Sequence, residues 1–235
     1  MTRLLTLSLV CLLALPAFAQ EDAMIDRKGV NGKAETDAGM SAYALATQLA
    51  QYGRMNDDAQ ALATAAQILL DNPAGEIEAE MDTEAMADDG AAMGDKAEAD
   101  MMDLSAAALL AEAADLAGDD EALAGVIEGL QARAALDEKG RLGGALLGVY
   151  RVPARSTNTH YLTFRGGERA SISITGDHDT DLDFYLYDEN GNLVASDTDY
   201  TDVGYFSFRP LWTGPFRLRV VNLGRVYNEY VLSTN

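Results

Sequence analysis

From Val149 to Asn235, apolar side chains fall at every second position in short runs, each closed by turn residues. Tyr161, Thr163 and Arg165 alternate with Leu162 and Phe164, and Ile172 and Ile174 alternate with serines. Leu182, Phe184 and Leu186 alternate with Asp181, Asp183, Tyr185 and Tyr187; Phe216, Leu218 and Val220 alternate with Arg217 and Arg219; Val231-Leu232 closes the chain. Successive side chains on a strand point to opposite faces, so each run offers one face to a core and one to water. Gly166-Gly167, Gly176-Asp177, Asn190-Gly191, Gly214-Pro215 and Gly224 separate the runs. Short strands with regular breaks predict an antiparallel β-sandwich, a jelly roll, over residues 148–235.

The preceding sequence has a different period. Leu45, Leu49 and Tyr52 are spaced i, i+4, i+7, and Leu62, Ala65, Ala66 and Leu69 continue the stripe after Gly53 and Asn56-Asp57-Asp58. A second hairpin runs from Leu104 to Ala117, turns at Gly118-Asp119-Asp120, and resumes with Leu123, Val126, Ile127 and Leu130. These stripes predict alanine-rich helical hairpins over residues 39–137. Charge splits the chain the same way. Residues 20–140 carry 27 acidic and 7 basic side chains, and residues 141–235 carry 11 and 9. The expected fold class is therefore α+β in two parts, N-terminal helical hairpins and a C-terminal antiparallel sandwich. A glycine-containing linker at 138–147 joins them.

Between the hairpins, residues 74–102 alternate acids with Ala, Gly and Met and contain no aromatic residue. Such a run cannot bury a core of its own and reads as a solvated linker. Met81, Met86, Met93, Met101 and Met102 raise the competing reading of a thioether site for Cu(I), although no tight spacing repeats and no histidine lies nearby.

Residues 1–19 read as a secretory signal peptide: Arg3, an apolar run from Leu4 to Leu15, the break at Pro16, and Ala17-Phe18-Ala19 for cleavage after Ala19. The run is short against the ~30 Å of a bilayer core, so no membrane span is expected in the mature chain. Residues 20–38 are expected to be a flexible N-terminus. Cys11 is the one cysteine, and cleavage removes it, which excludes disulfides and cysteine chemistry thereafter. The expected location is periplasmic or secreted. A net charge of −21 excludes a nucleic-acid partner, because phosphate contacts need clustered Lys and Arg.

Several motifs occur in a familiar order. Phe164-Arg165-Gly166-Gly167-Glu168, Asp181 to Asp188 and Gly191-Asn192-Leu193-Val194 are followed by Gly214 to Val220 and Tyr230-Val231-Leu232. Over residues 148–235 the chain resembles the bacterial pre-peptidase C-terminal domain. That resemblance implies a jelly-roll accessory module of secreted proteins, some of which bind extracellular polymers or calcium; here no peptidase precedes it. The hairpins resemble tetratricopeptide-type pairs through Tyr52, Ala61 and Pro73, and depart from them at Leu49.

No zinc, nucleophile-elbow or phosphate-loop motif is present, and the two histidines, His160 and His178, fall in or beside expected turns. The expectation is a protein that is not an enzyme. The best candidate cofactor is calcium, at Asp177, Asp179, Asp181 and Asp183, four carboxylates at a strand entrance. The competing reading pairs Asp181 and Asp183 with Arg217 and Arg219 across strands. Tyr185, Tyr187 and Trp212 are the candidate ligand-binding aromatics; against them, Trp212 is an anchor for a loop. The expected function is that of an exported binding or accessory protein. The helical half meets a protein partner, and the sandwich meets an extracellular polymer or protein or stabilises the whole. The alternative is a partner or regulatory subunit of a secreted peptidase or other hydrolase.

Overall fold

The computed structural model describes residues 38–87, 90, 92–137 and 145–235. The expected signal peptide, the N-terminal segment up to residue 37 and the glycines at 140, 143 and 144 lie outside the described residues.

The described residues form four helices in two hairpins: α1 Ala38–Asn56 with α2 Ala59–Asp71, and α3 Ala106–Leu116 with α4 Glu121–Asp137. Asp58 caps α2 by accepting the Ala61 N–H at 3.0 Å, and Ser105 caps α3 by accepting the Ala108 N–H at 3.2 Å. The hairpins pack together around Leu62, Ala65, Ala66, Leu109, Leu110, Ala113 and Ile127. The stripe on α1 is not the expected one. Leu45 and Tyr52 are exposed, and the buried face is Tyr43, Ala46, Thr47, Ala50 and Gln51. Small residues there let neighbouring elements approach closely. Gly53 does not stop α1; it lies inside it, where an added Cβ would meet Leu62 Cγ at 2.7 Å. Val126 is likewise exposed while Ile127 carries the contact of α4. With Tyr52 turned to solvent, nothing supports the tetratricopeptide likeness.

The described residues form ten strands, the first two between α2 and α3: β1 Gly75–Glu76, β2 Met81–Ala85, β3 Leu146–Val152, β4 Ser156–Phe164, β5 Ala170–Thr175, β6 Leu182–Tyr187, β7 Leu193–Asp197, β8 Val203–Phe208, β9 Gly214–Asn222 and β10 Asn228–Thr234. They form two sheets, ordered β1-β3-β10-β5-β8 and β2-β4-β9-β6-β7. Without β1 and β2, this is the eight-stranded jelly roll that the alternation predicts. Ile172, Ile174, Phe184, Leu186, Phe206, Leu218 and Leu232 fill the space between the sheets. Phe164, Phe208 and Phe216 close one end with centroids 5.0 to 5.8 Å apart.

Residues 74–102 are not merely a solvated linker. Strand β1 joins β3 in parallel, β2 joins the edge of β4 from Met81↔His160 to Ala85↔Ser156, and Ile77 enters the sandwich core. An acidic segment that cannot build a core can still satisfy its backbone at the open edge of a sheet, with its charges left in water. Beyond β2 the segment is strapped over the start of β10. Gly94 N–H donates to Arg225 O at 2.8 Å, Arg151 Nη2 to Ala99 O at 2.7 Å and Tyr227 Oη to Ala97 O at 2.9 Å.

The helices cover one sheet. Helix α1 packs on β5 and β10, Gln51 Nε2 donates to Gly176 O at 2.8 Å, and Val231, Leu147 and Val149 join the helical cluster. Accordingly β5 and β10 are buried on both faces, whereas β6 alternates buried with half-buried residues.

Candidate functional site

Because the helices occupy the outer face of one sheet, the outer face of β4, β9 and β6 is the broad strand surface left to solvent. Register assembles it into cross-strand rows. Arg217 lies between Tyr161 on β4 and Tyr187 on β6, and Arg219 between Thr159 and Tyr185. The Arg217 guanidinium carbon stands 5.9 Å from the centre of the Tyr187 ring. Tyr161 is exposed, and its hydroxyl donates to Asp82 Oδ2 on β2 at 3.0 Å. The Tyr185 hydroxyl donates to Asp183 Oδ2 at 3.3 Å. Both phenols are held above their ordinary pKa, Tyr161 first by the hydrogen bond to Asp82 and Tyr185 first by burial.

This register also disposes of the expected ion pairs. Asp183 stands opposite Val221 rather than an arginine, and among the described residues neither Asp181 nor Asp183 bridges to Arg217 or Arg219. The arginines belong to the tyrosines.

The four aspartates at the strand entrance are divided between two environments. Asp177 Oδ2 accepts from Lys96 Nζ at 2.7 Å and from the Glu229 N–H at 3.0 Å. Asp179 Oδ2 is 2.5 Å from the same ammonium. That ammonium also donates to Tyr227 O at 3.1 Å and lies 3.8 Å from the centre of the Tyr227 ring. Desolvation pulls the Lys96 pKa down, but Asp177 and Asp179 together outweigh it and hold the group above its ordinary value. Asp181 is exposed, its carboxyl raised first by desolvation and then by Asp183, Asp199 and Asp202. Asp183 turns to Tyr185. Among the described residues, no group of three or more His, Cys, Asp or Glu side chains is placed to hold a metal ion. Lys96 is 81 residues from Asp177, beyond the reach of any local motif.

Trp212 anchors a loop. Its Nε1 donates to Glu189 Oε1 at 3.1 Å, and its backbone lies so close to Gly166 that no Cβ would fit there. It stands at the end of the sheet that carries Tyr187, two residues before Glu189, without completing the tyrosine row.

The histidines do not both lie at turns. His160 sits within β4 on the inward set with Asn158, Leu162 and Phe164, and it is fully buried. Counting the alternation back from Phe164 would have found it. Asn158 Nδ2 donates to Tyr230 Oη at 2.9 Å, so the phenol proton is directed to His160 Nε2 at 2.6 Å. This assigns the imidazole proton to Nδ1, which has no partner among the described residues. Burial without a counter-charge lowers the His160 pKa to about 4 and raises that of Tyr230. His178 does lie in a loop, with a positive φ of 68°. Asp202, itself buried, accepts the His178 N–H at 2.5 Å and faces its Nδ1 at 2.8 Å, clamping the loop.

Neither a family model nor a curated protein matches the sequence. Among solved structures, the pre-peptidase C-terminal domain of collagenase from Bacillus anthracis is similar at 16% identity, over 40% of this chain and 90% of that one, with a TM-score of 0.30. PliG of Aeromonas hydrophila, a periplasmic inhibitor of g-type lysozyme, is similar at 9% identity over 41% and 91%, with a TM-score of 0.29. A de novo designed double-stranded β-helix is similar at 15% identity over 38% and 97%, with a TM-score of 0.26. No helix among the described residues is long and apolar enough to cross a membrane.

Proposed function

We propose that this is an exported, non-catalytic binding protein whose open sheet face engages a protein partner. The observation that carries the reading is the row Tyr161, Arg217, Tyr187 on the uncovered sheet, with Arg219 and Tyr185 beside it. Tyrosine and arginine dominate the binding energy of protein interfaces, because each combines a large apolar body with directed hydrogen bonds. A flat protein surface fits this face better than a sugar chain does, since the Tyr187 ring already carries a guanidinium. Export rests on the signal-peptide features of residues 1–19. The absence of catalysis rests on both histidines having structural work, His160 sealed in the core and His178 clamped by Asp202.

The test immobilises the full chain and exposes it to the exported fraction of the producing cells. Saturable capture of a defined partner is expected, lost in the variant Tyr161→Ser, Tyr187→Ser, Arg217→Glu and kept in Leu136→Ser on exposed α4. Matching melting curves establish that all the variants are folded. Capture by the triple variant at wild-type affinity would overturn the reading. A captured partner whose hydrolase activity changes on binding identifies the protein as a regulatory subunit.

A further inference from the structure

Three methionines that local sequence does not group open onto one cleft. Met55 lies in the last turn of α1, while Met101 and Met102 lie in the strap leading to α3. Together they line a cavity of about 500 Å³ between these elements and the start of β10. Met55 and Met101 are 81% and 54% exposed, which a packing role does not explain. Gln51 belongs to the same face of α1, one turn before Met55, and is only 9% exposed. Its Nε2 is spent on Gly176 O, its Oε1 is buried with no hydrogen-bond partner among the described residues, and the residue lines the cleft.

The charges around the cleft favour a cation. Arg54 is matched by Glu112, with Nη2 2.6 Å from Oε1 and Nε 2.8 Å from Oε2, so its charge is compensated, while its Nη1 is buried without a hydrogen-bond partner among the described residues. Asp100 and Asp103 are exposed at the rim. No thiol or imidazole lines the cavity. Thioethers are neutral, soft donors that select Cu(I) and its analogue Ag(I) over calcium, magnesium or zinc. We propose that this cleft is a binding site for a soft monovalent metal ion, with Met55, Met101 and Met102 supplying sulfur. Gln51 Oε1 offers an oxygen to the ion or to its bound water. The site uses only two of the five linker methionines and recruits its third ligand from a helix, so linker spacing could not show it.

The test titrates Ag(I), then Cu(I) under anaerobic reducing conditions, into the full chain carrying Cys11→Ser, which removes the competing thiol. Methionine methyl groups labelled with ¹³C report the site by NMR. At one equivalent, the methyl signals of Met55, Met101 and Met102 are expected to move and that of Met93 to stay. Met55→Leu and Met101→Leu, which conserve volume, should each weaken binding at least tenfold without altering the melting temperature. The double variant should abolish binding, and Met93→Leu should leave it unchanged. Absence of stoichiometric binding, equal shifts across all methionines, or undiminished binding by the double variant would each overturn the proposal.

Discussion

Acid should weaken this fold through a single buried imidazole. His160 is inaccessible, meets Tyr230 Oη and the Tyr150 ring at a centroid distance of 4.5 Å, and has its pKa lowered by burial to about 4 in the folded chain. In the unfolded chain its pKa returns to about 6.5. Above that value both states are neutral and the group contributes no pH dependence. Below it the unfolded state takes up a proton that the native state refuses until about pH 4, so stability falls as pH falls. Each pH unit in that window costs about 1.4 kcal/mol, and the whole window costs roughly 3 kcal/mol. That is a large fraction of the 5–15 kcal/mol that typically holds a domain together. The assay is urea unfolding at half-unit steps from pH 4 to 7.5, for the wild type and for His160→Gln. The variant should be the less stable at pH 7.5, by about 1–2 kcal/mol for lost packing. The gap should close as pH falls and reverse between about pH 5 and 6, because the variant has no imidazole at position 160 whose proton uptake favours the unfolded chain. If the two lines stay parallel, the imidazole is not the acid-sensitive element and the buried-neutral account of His160 is wrong.

Lys96→Met should release the strap over β10, at a cost of about 1–2 kcal/mol for a partly buried ion pair. Limited proteolysis between residues 86 and 103 should then speed up by about tenfold; an unchanged cleavage rate would contradict the latch. Calcium against excess chelator should leave the wild-type melting curve in place, because an ammonium already lies between Asp177 and Asp179. A rise of several degrees that Asp181→Ala abolishes would instead establish the four-aspartate site. Val231→Asp, at a residue 3% exposed beneath the helices, should cost several kcal/mol by burying an unpaired carboxylate. It should also split a single thermal transition into separate helical and sandwich steps, and a single transition in the variant would show that Val231 does not join the two parts.

Local pattern was enough for the sandwich. Alternation is a property of each strand alone, so Leu182, Phe184, Leu186, Phe216, Leu218 and Val220 could be assigned inward without knowing their partners, and they lie there. The same rule, carried to Asn158 and His160, would have placed the histidine in the core. Hairpin periodicity likewise located four helices, although it chose the wrong face of α1, because hydrophobicity favours leucine where close packing selected alanine, threonine and glutamine. What the pattern could not contain was pairing across distance. Lys96 meets Asp177, β2 closes the edge of β4, Arg217 stands between two tyrosines, and Met55 and Met101 line one cavity only after the chain has folded back on itself. An acidic segment with no core of its own carries no local sign of the sheet edge that will accept it. The outer set of β10, Glu229, Val231 and Ser233, looks like a solvent face until the helices cover it. Periodicity is set by each residue's own backbone geometry, whereas registers, covered faces and ligand sets are set by which surfaces compete best for one another.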